Sequence, residues 1–410
     1  MAVNNLDFNQ AATLLSSILY YAQGQTGTAP TVPATEQEFV SVGQMALKTG
    51  YDKLATAISQ VLSETIFSVR PYSRKFKDLN VSEQMYGAIT RKLAVVDKPF
   101  EDDQKFDLVD GQSVDHYEVK KPLVLQLNFY GANEFQDHVT IYTEQLNMSM
   151  TGSAQFAQFI SMVMQNMSDK IEQAHEELAR RALNVMIADS LWLADAYGGN
   201  SPYCESVHLL SEYNALTGLS LTATTVFQPA NFPAFIKFCS ARVASMSDMF
   251  TNRTMKFHQN VTGKELLKHT PKADQRLYMI SDFLNKIKAM ALSEIFHENM
   301  ADITAQPIDY WYDIANPYRA TADNAVCLQA DGTLKNLANP EGDLETPYDI
   351  YDDIVVGVLF DRDACGYATV KHTVSNTPLN AAGLFYNTYY HFTDKYWVAN
   401  EENCVVFLLD

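Results

Sequence analysis

His175-Glu176 and His297-Glu298 each begin the HExxH pattern, in which two histidines on one helical face hold zinc and the glutamate acts as base. Ala179 and Ala301 stand where the second histidine belongs, so neither helix offers a zinc pair. Gly263-Lys264 begins like a phosphate-cradling loop. Glu265 replaces its magnesium-binding Ser/Thr, however, and no glycine lies five residues before Gly263. Ser220 in GLSLT lacks the second glycine of a nucleophile elbow. No C-x-x-C pair exists for zinc or redox work. Asp349, Asp352 and Asp353 could attract a cation, but their spacing is not that of an EF-hand, and a solvated loop is the better reading. Phe385, Tyr386, Tyr389, Tyr390, His391, Phe392, Tyr396 and Trp397 could stack bases, yet only Lys395 interleaves with them, so a strand packed on a helix accounts for them better. The expectation is a chain with no catalytic residue, no cofactor site and no metal site.

The elements around these residues are large and mostly apolar on one face. Asn9 to Ala22 carries Ala12, Leu15, Ile18 and Leu19 at helical spacing. GQTGTAPTVPAT (24–35) reads as a loop, and Glu36 to Thr65 as a helix broken near Gly50. Period-two apolar residues mark two strands, one with Ile89, Leu93 and Val95, the other with Tyr117, Val119, Leu123, Leu125, Leu127 and Phe129. They form a long hairpin with an acidic tip, VDKPFEDDQKFDLVDGQ (96–112). A two-stranded hairpin is marginal in water, so its apolar stripe needs another surface to pack on. Residues 153–197 read as one long helix, with Ser153 to cap its start and Gly198-Gly199-Asn200-Ser201-Pro202 to stop it. A coiled coil is the alternative, weakened by a drifting apolar pattern with Gln/Asn interruptions. Residues 203–373 are mixed: a helix after Asn231, the strand Leu277–Ile280, a helix at 282–297 capped by Ser281, loops at 312–353, and the buried strand Ile354–Phe360. Two strands close the chain.

Bulk properties narrow the class. The 410 residues are 47% hydrophobic and 19% charged, which suits a globular fold with a sizeable core. The net charge of −19 repels phosphates on average, so gripping a genome is not the expected task, although enclosing one fits. No apolar run approaches the ~20 residues that span a bilayer, and no basic-then-apolar leader opens the chain. Cys204, Cys239, Cys327, Cys365 and Cys404 are odd in number and widely spaced, as free thiols in a reducing cytosol would be. The N-x-S/T triplets at Asn80, Asn147, Asn166, Asn252 and Asn260 carry no meaning in such a compartment.

The order of parts resembles the major capsid fold shared by tailed phages, herpesviruses and bacterial encapsulins. RKFKDLNVSEQ (74–84), AQFAQFISMVMQNM, VVGVLFDRDACGYA (355–368) and NAAGLFYNTYYHFTDKYWVANEENCVVF (380–407) are similar to segments of the small short-tailed phages of Gram-positive hosts. The resemblance covers nearly the whole chain, is specific in the C-terminal third and thin over residues 1–65. It implies an α+β capsid fold with an N-terminal arm (1–75), an E-loop hairpin (76–130), a peripheral domain with spine helix (131–202), an axial domain with loop insertions (203–373) and closing strands (374–410).

The resemblance implies a structural subunit of an icosahedral head, a virion protein assembled in the host bacterial cytoplasm. Its partners are copies of itself in pentamers and hexamers, a portal, and packaged double-stranded DNA without sequence-specific binding; no membrane is involved. The chain opens at Met1, from which a separate scaffolding chain is expected. Some members form Lys–Asn cross-links, but no motif here places one. An encapsulin-like cargo shell and a cytosolic enzyme or binding protein remain the alternatives. For contacts between subunits, the hairpin tip mixes acid and apolar residues, with Asp97, Phe100, Glu101, Asp102, Asp103 and Phe106 the chosen contacts. Its expected basic partners are Lys170, Arg180 and Arg181 on a neighbour's long helix. Exposed pairs of this kind contribute only ~0–1 kcal/mol each, so their effect would come from repetition around a shell.

Overall fold

The computed structural model describes residues 7–24, 32–64, 75–80, 90–96, 109–111, 117, 123–129, 133–194, 205–260, 266–293, 305–322, 326–328, 334–336, 350–352 and 354–410. The chain runs through helices α1 (Phe8–Ala22), α2 (Glu36–Lys48) and α3 (Tyr51–Glu64), then strands β1 (Thr90–Val96), β2 (Leu123–Phe129) and β3 (Asn133–Tyr142). Helices α4 (Thr143–Ser149) and α5 (Ser153–Ala194) follow, then β4 (Glu205–His208), α6 (Leu209–Thr217), α7 (Phe232–Phe250), β5 (Gln275–Ile280), α8 (Ser281–Ser293) and β6 (Ala305–Ile308). Short strands β7 (Ala320–Ala322), β8 (Val326–Leu328), β9 (Leu334–Asn336) and β10 (Ile350–Asp352) precede β11 (Val355–Asp361), β12 (Cys365–Asn376), β13 (Phe385–Val398) and β14 (Cys404–Leu408).

Local chemistry sets the helix ends. Asp7 and Gln10 form a reciprocal capping box at α1, and Thr35 Oγ1 accepts from Glu38 N–H at α2. Gly50, at φ +103°, takes the left-handed backbone that separates α2 from α3, where the sequence predicted the break. Ser153 departs from expectation: it is the first helical residue of α5 rather than its cap. Its N–H and Oγ both donate to the Glu36 carboxylate, which sits at the positive end of the helix. Helix α5 runs 42 residues unbroken, about 63 Å at ~1.5 Å per residue. Residues 182–189 are buried on every side, which a coiled-coil seam is not.

The chain divides into two compact units, one of residues 1–88, 131–178 and 367–395, the other of residues 89–130, 179–366 and 396–410.

In the first unit, α1, α2 and α3 share a core with α4 and the start of α5. Phe39 packs edge-on against Phe156, with ring centroids 5.8 Å apart. The three-stranded sheet β12-β13-β3 completes this unit. Strand β13 pairs antiparallel with β3 over ten residues, from Phe385↔Tyr142 to Asp394↔Asn133. Tyr386 and Tyr390 on β13 are buried, while His391, on the other face of the strand, is exposed. The aromatic cluster thus forms part of a packed sheet. Strands β3 and β12 were not anticipated; their polar and apolar residues alternate imperfectly, and pairing to β13 is what makes them strands.

The second unit is built on a five-stranded sheet in the order β4-β14-β11-β5-β6. Its central strand β11 and the adjacent β14 are buried at every residue. One face packs on α6, α7 and α8 through Val207, Tyr213, Phe235, Val243, Phe283, Leu359 and Phe407. Gly357 of β11 allows close strand approach, since a Cβ there would come within 2.9 Å of the Tyr278 carbonyl oxygen. Trp311 is fully buried, donating from Nε1 to Val355 O at 2.9 Å and accepting from Asn184 on α5.

Candidate interaction surface

Among the described residues, the hairpin of β1 and β2 has one packed face and one exposed apolar face. The strands pair antiparallel with Leu93↔Gln126, Ala94↔Leu125 and Val95↔Val124. Residues directly opposite each other share a face, so the register sorts the apolar side chains into two sets. Leu125 is buried and packs with Ala94 on Leu266, the seat of the hairpin. Leu93, Val95 and Val124 lie on the opposite face, 64%, 62% and 52% exposed. The single apolar stripe read from the sequence is in fact two faces, because period two within each strand does not say which residues meet across the pair.

A polar scaffold holds the seat. Leu266 N–H donates to Asn260 Oδ1 at 2.8 Å, and Leu266 O lies 2.9 Å from His258 Nε2. His258 Nδ1 in turn lies 3.1 Å from Asn403 Oδ1. Burial pushes the His258 pKa down, against the pull of its hydrogen bonds, which favours the neutral ring. Asn403 donates to Thr270, whose hydroxyl donates to Asp361 at 2.6 Å. Burial raises the Asp361 pKa despite that bond.

Charges lock the hairpin root to this scaffold. Lys92, on the same face as Ala94, places Nζ 2.8 Å from Glu402 Oε1, 3.4 Å from Glu401 Oε1 and 3.2 Å from Asp363 O. Lys268 also meets Glu402, at 2.7 Å. Burial works against the Lys92 ammonium, but Glu401 and Glu402 outweigh it and hold its pKa above the ordinary lysine value. Burial likewise works against the Glu402 carboxylate, and Lys92 and Lys268 outweigh it, holding that pKa below the usual range. Sequence reasoning missed these residues. The signals were there: a lysine in an apolar strand, and a Glu-Glu pair just before CVVFLL.

The residues chosen from sequence are distributed as follows. Asp97, Phe100, Glu101, Asp102, Asp103 and Phe106 lie outside the described residues, as do the loop at 25–31, the stop at 198–202, the 263–265 segment, His297, Ala301, Asp349 and Asp353. Lys170 pairs with Asp137 on β3 at 2.5 Å. Arg180 bonds Tyr310 O and lies over the Tyr310 ring, 4.0 Å from its centroid. Arg181 is exposed, 5.8 Å from the Tyr396 ring centroid. His175 of the broken HExxH pattern is buried, 3.3 Å from Asp394 Oδ2 and 3.3 Å from Thr369 Oγ1.

One trio has the order of an acyl-transfer relay: Ser206 Oγ lies 3.1 Å from His208 Nε2, and His208 Nδ1 lies 2.7 Å from Asp410 Oδ1. His208 and Asp410 are 39% and 43% exposed, and Asp410 O also accepts from Ser211 N–H, so the trio works as a clasp between β4 and the chain beyond β14. Among the described residues no cluster of three or more His, Cys, Asp and Glu is arranged to hold a metal, and no helix is long and apolar enough to cross a membrane.

Comparison with known proteins adds a family. The family described as Phi29-like phage major capsid protein matches residues 16–408. Among solved structures, the chain is similar to the capsid structure of Staphylococcus phage Andhra, with 10% identity and a TM-score of 0.50, covering 84% of this chain and 87% of that one. It is similar also to a chain in the structure of the head fiber and inner core protein of native bacteriophage P68, with 9% identity and a TM-score of 0.51 over the same shares. At such identities the likeness concerns the fold. No curated protein matches the chain.

Proposed function

We propose, from the premise that this chain belongs to the Phi29-like phage major capsid protein family, that its exposed hairpin face is the contact through which neighbouring subunits join. The chain is a structural subunit of a phage head, has the tailed-phage type of capsid fold, and assembles with copies of itself into the shell of the virion. An encapsulin-like cargo shell is not favoured, because the family match is to phage capsid proteins over residues 16–408. The finer reading is that the copies form pentamers and hexamers, in the host cytoplasm, on a separate scaffolding chain and around a portal. In that reading the chain catalyses nothing, and double-stranded DNA is enclosed rather than gripped. The net charge of −19 supports the last point, since counterion release cannot drive binding to a like-charged wall.

The observation that carries the hairpin proposal is the set of Leu93, Val95 and Val124, exposed together beside a face that is packed. Closed symmetry covers such a face on every copy at once. The acidic tip, Asp97 to Gln112, extends the same contact in this reading, with Arg181 its best-placed basic partner and Lys170 and Arg180 sharing their charge with groups of their own chain. Replacing the tip by a two-residue Asn-Gly turn tests it, with the variant co-expressed beside its scaffold gene and viewed by electron microscopy. A subunit that keeps its circular dichroism and melting behaviour but fails to close shells supports the contact. Shells of normal yield and stability overturn it.

A further inference from the structure

The register of β13 on β3 sets Phe392 opposite Phe135 and Asp394 opposite Asn133. Residues two apart on a strand share a face, so Phe392 and Asp394 line one cleft together with Phe135 and Asp137. The cleft, about 70 Å³ in volume, lies within the first unit, and Met167 and Ile171 of α5 form its other wall. At its edge, Asp137 is paired with Lys170 at 2.5 Å. Deeper, Asp394 is 1% exposed, and its Oδ2 lies 3.3 Å from His175 Nε2. That ring nitrogen also lies 3.3 Å from Thr369 Oγ1. Asp394 Oδ1 is buried and has no hydrogen-bond partner among the described residues.

A buried carboxylate oxygen without a donor is costly. Water is a poor remedy here, because a buried water needs two to four polar partners and Phe135, Phe392, Met167 and Ile171 offer none. An alkylammonium group fits both features, since its methylenes lie against apolar walls while its charged end donates to Oδ1. A guanidinium fits less well. Its planar fork seeks both oxygens of a carboxylate, and His175 already stands beside one of them. The cleft's own lysine, Lys170, is held by Asp137. In a shell built from copies of this chain, a neighbouring copy presents its lysines at high local concentration.

We propose that this cleft receives a lysine side chain from a second copy of the chain, its ammonium donating to Asp394 Oδ1 and its stem lying between the β3–β13 face and α5. The inference rests on the self-assembly of the chain, and not on the hairpin contact proposed above.

Two measurements test it. The first titrates n-butylammonium, which is the lysine side chain without its backbone, into the full-length subunit and follows the Met167 methyl resonance. The expected result is a saturating shift whose affinity falls at least about tenfold in Asp394→Asn. The second is an electron cryomicroscopy map of assembled shells, in which a neighbour's lysine should end within hydrogen-bond distance of Asp394. A Met167 resonance that does not respond, or an affinity that Asp394→Asn leaves unchanged, overturns the proposal. So does a map in which the cleft holds water, a free amine, an arginine or the chain's own Lys170. If the variant does not fold, the wild-type titration and the map decide. The same map reads the hairpin separately: a neighbour's lysine in the cleft beside hairpins that touch no neighbour overturns the hairpin contact and leaves this inference standing.

Discussion

Val95 stands directly opposite Val124 across the hairpin, and both are more than half exposed, while their neighbours Ala94 and Leu125 turn inward onto Leu266. One strand pair thus carries a packed face and an exposed one. Chemically similar changes on the two faces should therefore have different effects.

Changing Val95 and Val124 to Ser should leave the melting temperature of the isolated subunit within about 1–2 °C of wild type, since exposed substitutions usually shift stability by under ~0.5 kcal/mol. Shell yield by sedimentation should fall. Leu125→Ala should instead destabilise the seated hairpin by about 2–3 kcal/mol, seen as faster exchange in β1 and β2. Equal effects of the two changes on hairpin exchange would remove the distinction between the faces.

Gly357→Ala should destabilise the second unit by roughly 1–3 kcal/mol, because the new methyl meets the backbone of β5, which has no flexible end to move aside. Denaturant unfolding measures it. A midpoint unchanged from wild type would show that β11 and β5 can part by a few tenths of an ångström without loss.

The Lys92–Glu402 pair gives stability a defined pH window. The Glu402 pKa is held below its unfolded value, so its contribution is present above about pH 4.3 and lost as pH falls through the folded pKa. The Lys92 pKa is held above its unfolded value, so its contribution is full below about pH 10.4 and lost as pH rises through the folded pKa. Lys92→Met should cost about 1.5–3 kcal/mol between these limits and progressively less outside them. Thermal melts at pH 4, 7 and 11 check the pattern; a cost that does not vary with pH assigns Lys92 a packing role only.

Cys239, Cys365 and Cys404 are buried free thiols. Burial pushes the Cys404 thiol up to about 12 and the Cys239 thiol upward as well, so neither holds much thiolate at neutral pH. A thiol reagent at pH 7.5 should label these positions only on denaturation, with mass spectrometry counting the adducts. Labelling of Cys404 in the native subunit would show that β14 opens.

The helices were legible because their information is local. Asp7 with Gln10, Thr35 with Glu38, and the glycine at position 50 dictate ends and breaks within a turn or two, and periodicity dictates which face is apolar. The hairpin strands were legible for the same reason, as was the family, through segments such as VVGVLFDRDACGYA. Strands β3 and β12 were not, because β3 exists through partners about 250 residues away, as in His138↔Tyr389. No local pattern carries that pairing.

What the sequence by itself determined is the set of parts: a long helix, a hairpin, an acidic stretch between its strands, and a strongly negative chain with no apolar run long enough to span a bilayer. What only the tertiary structure decided is which side of each part is spent within the subunit. Alternation in β1 and β2 made every second residue apolar, but the register between them separated Leu93 and Val95 from Leu125. Likewise Glu401 and Glu402 are two ordinary acids in sequence. Folding brings Lys92 and Lys268 to Glu402 and leaves Glu401 buried with no hydrogen bond. The physical reason is the same in both cases: side-chain type fixes what a residue can pair with, while its partner is chosen by segments hundreds of residues away meeting in space.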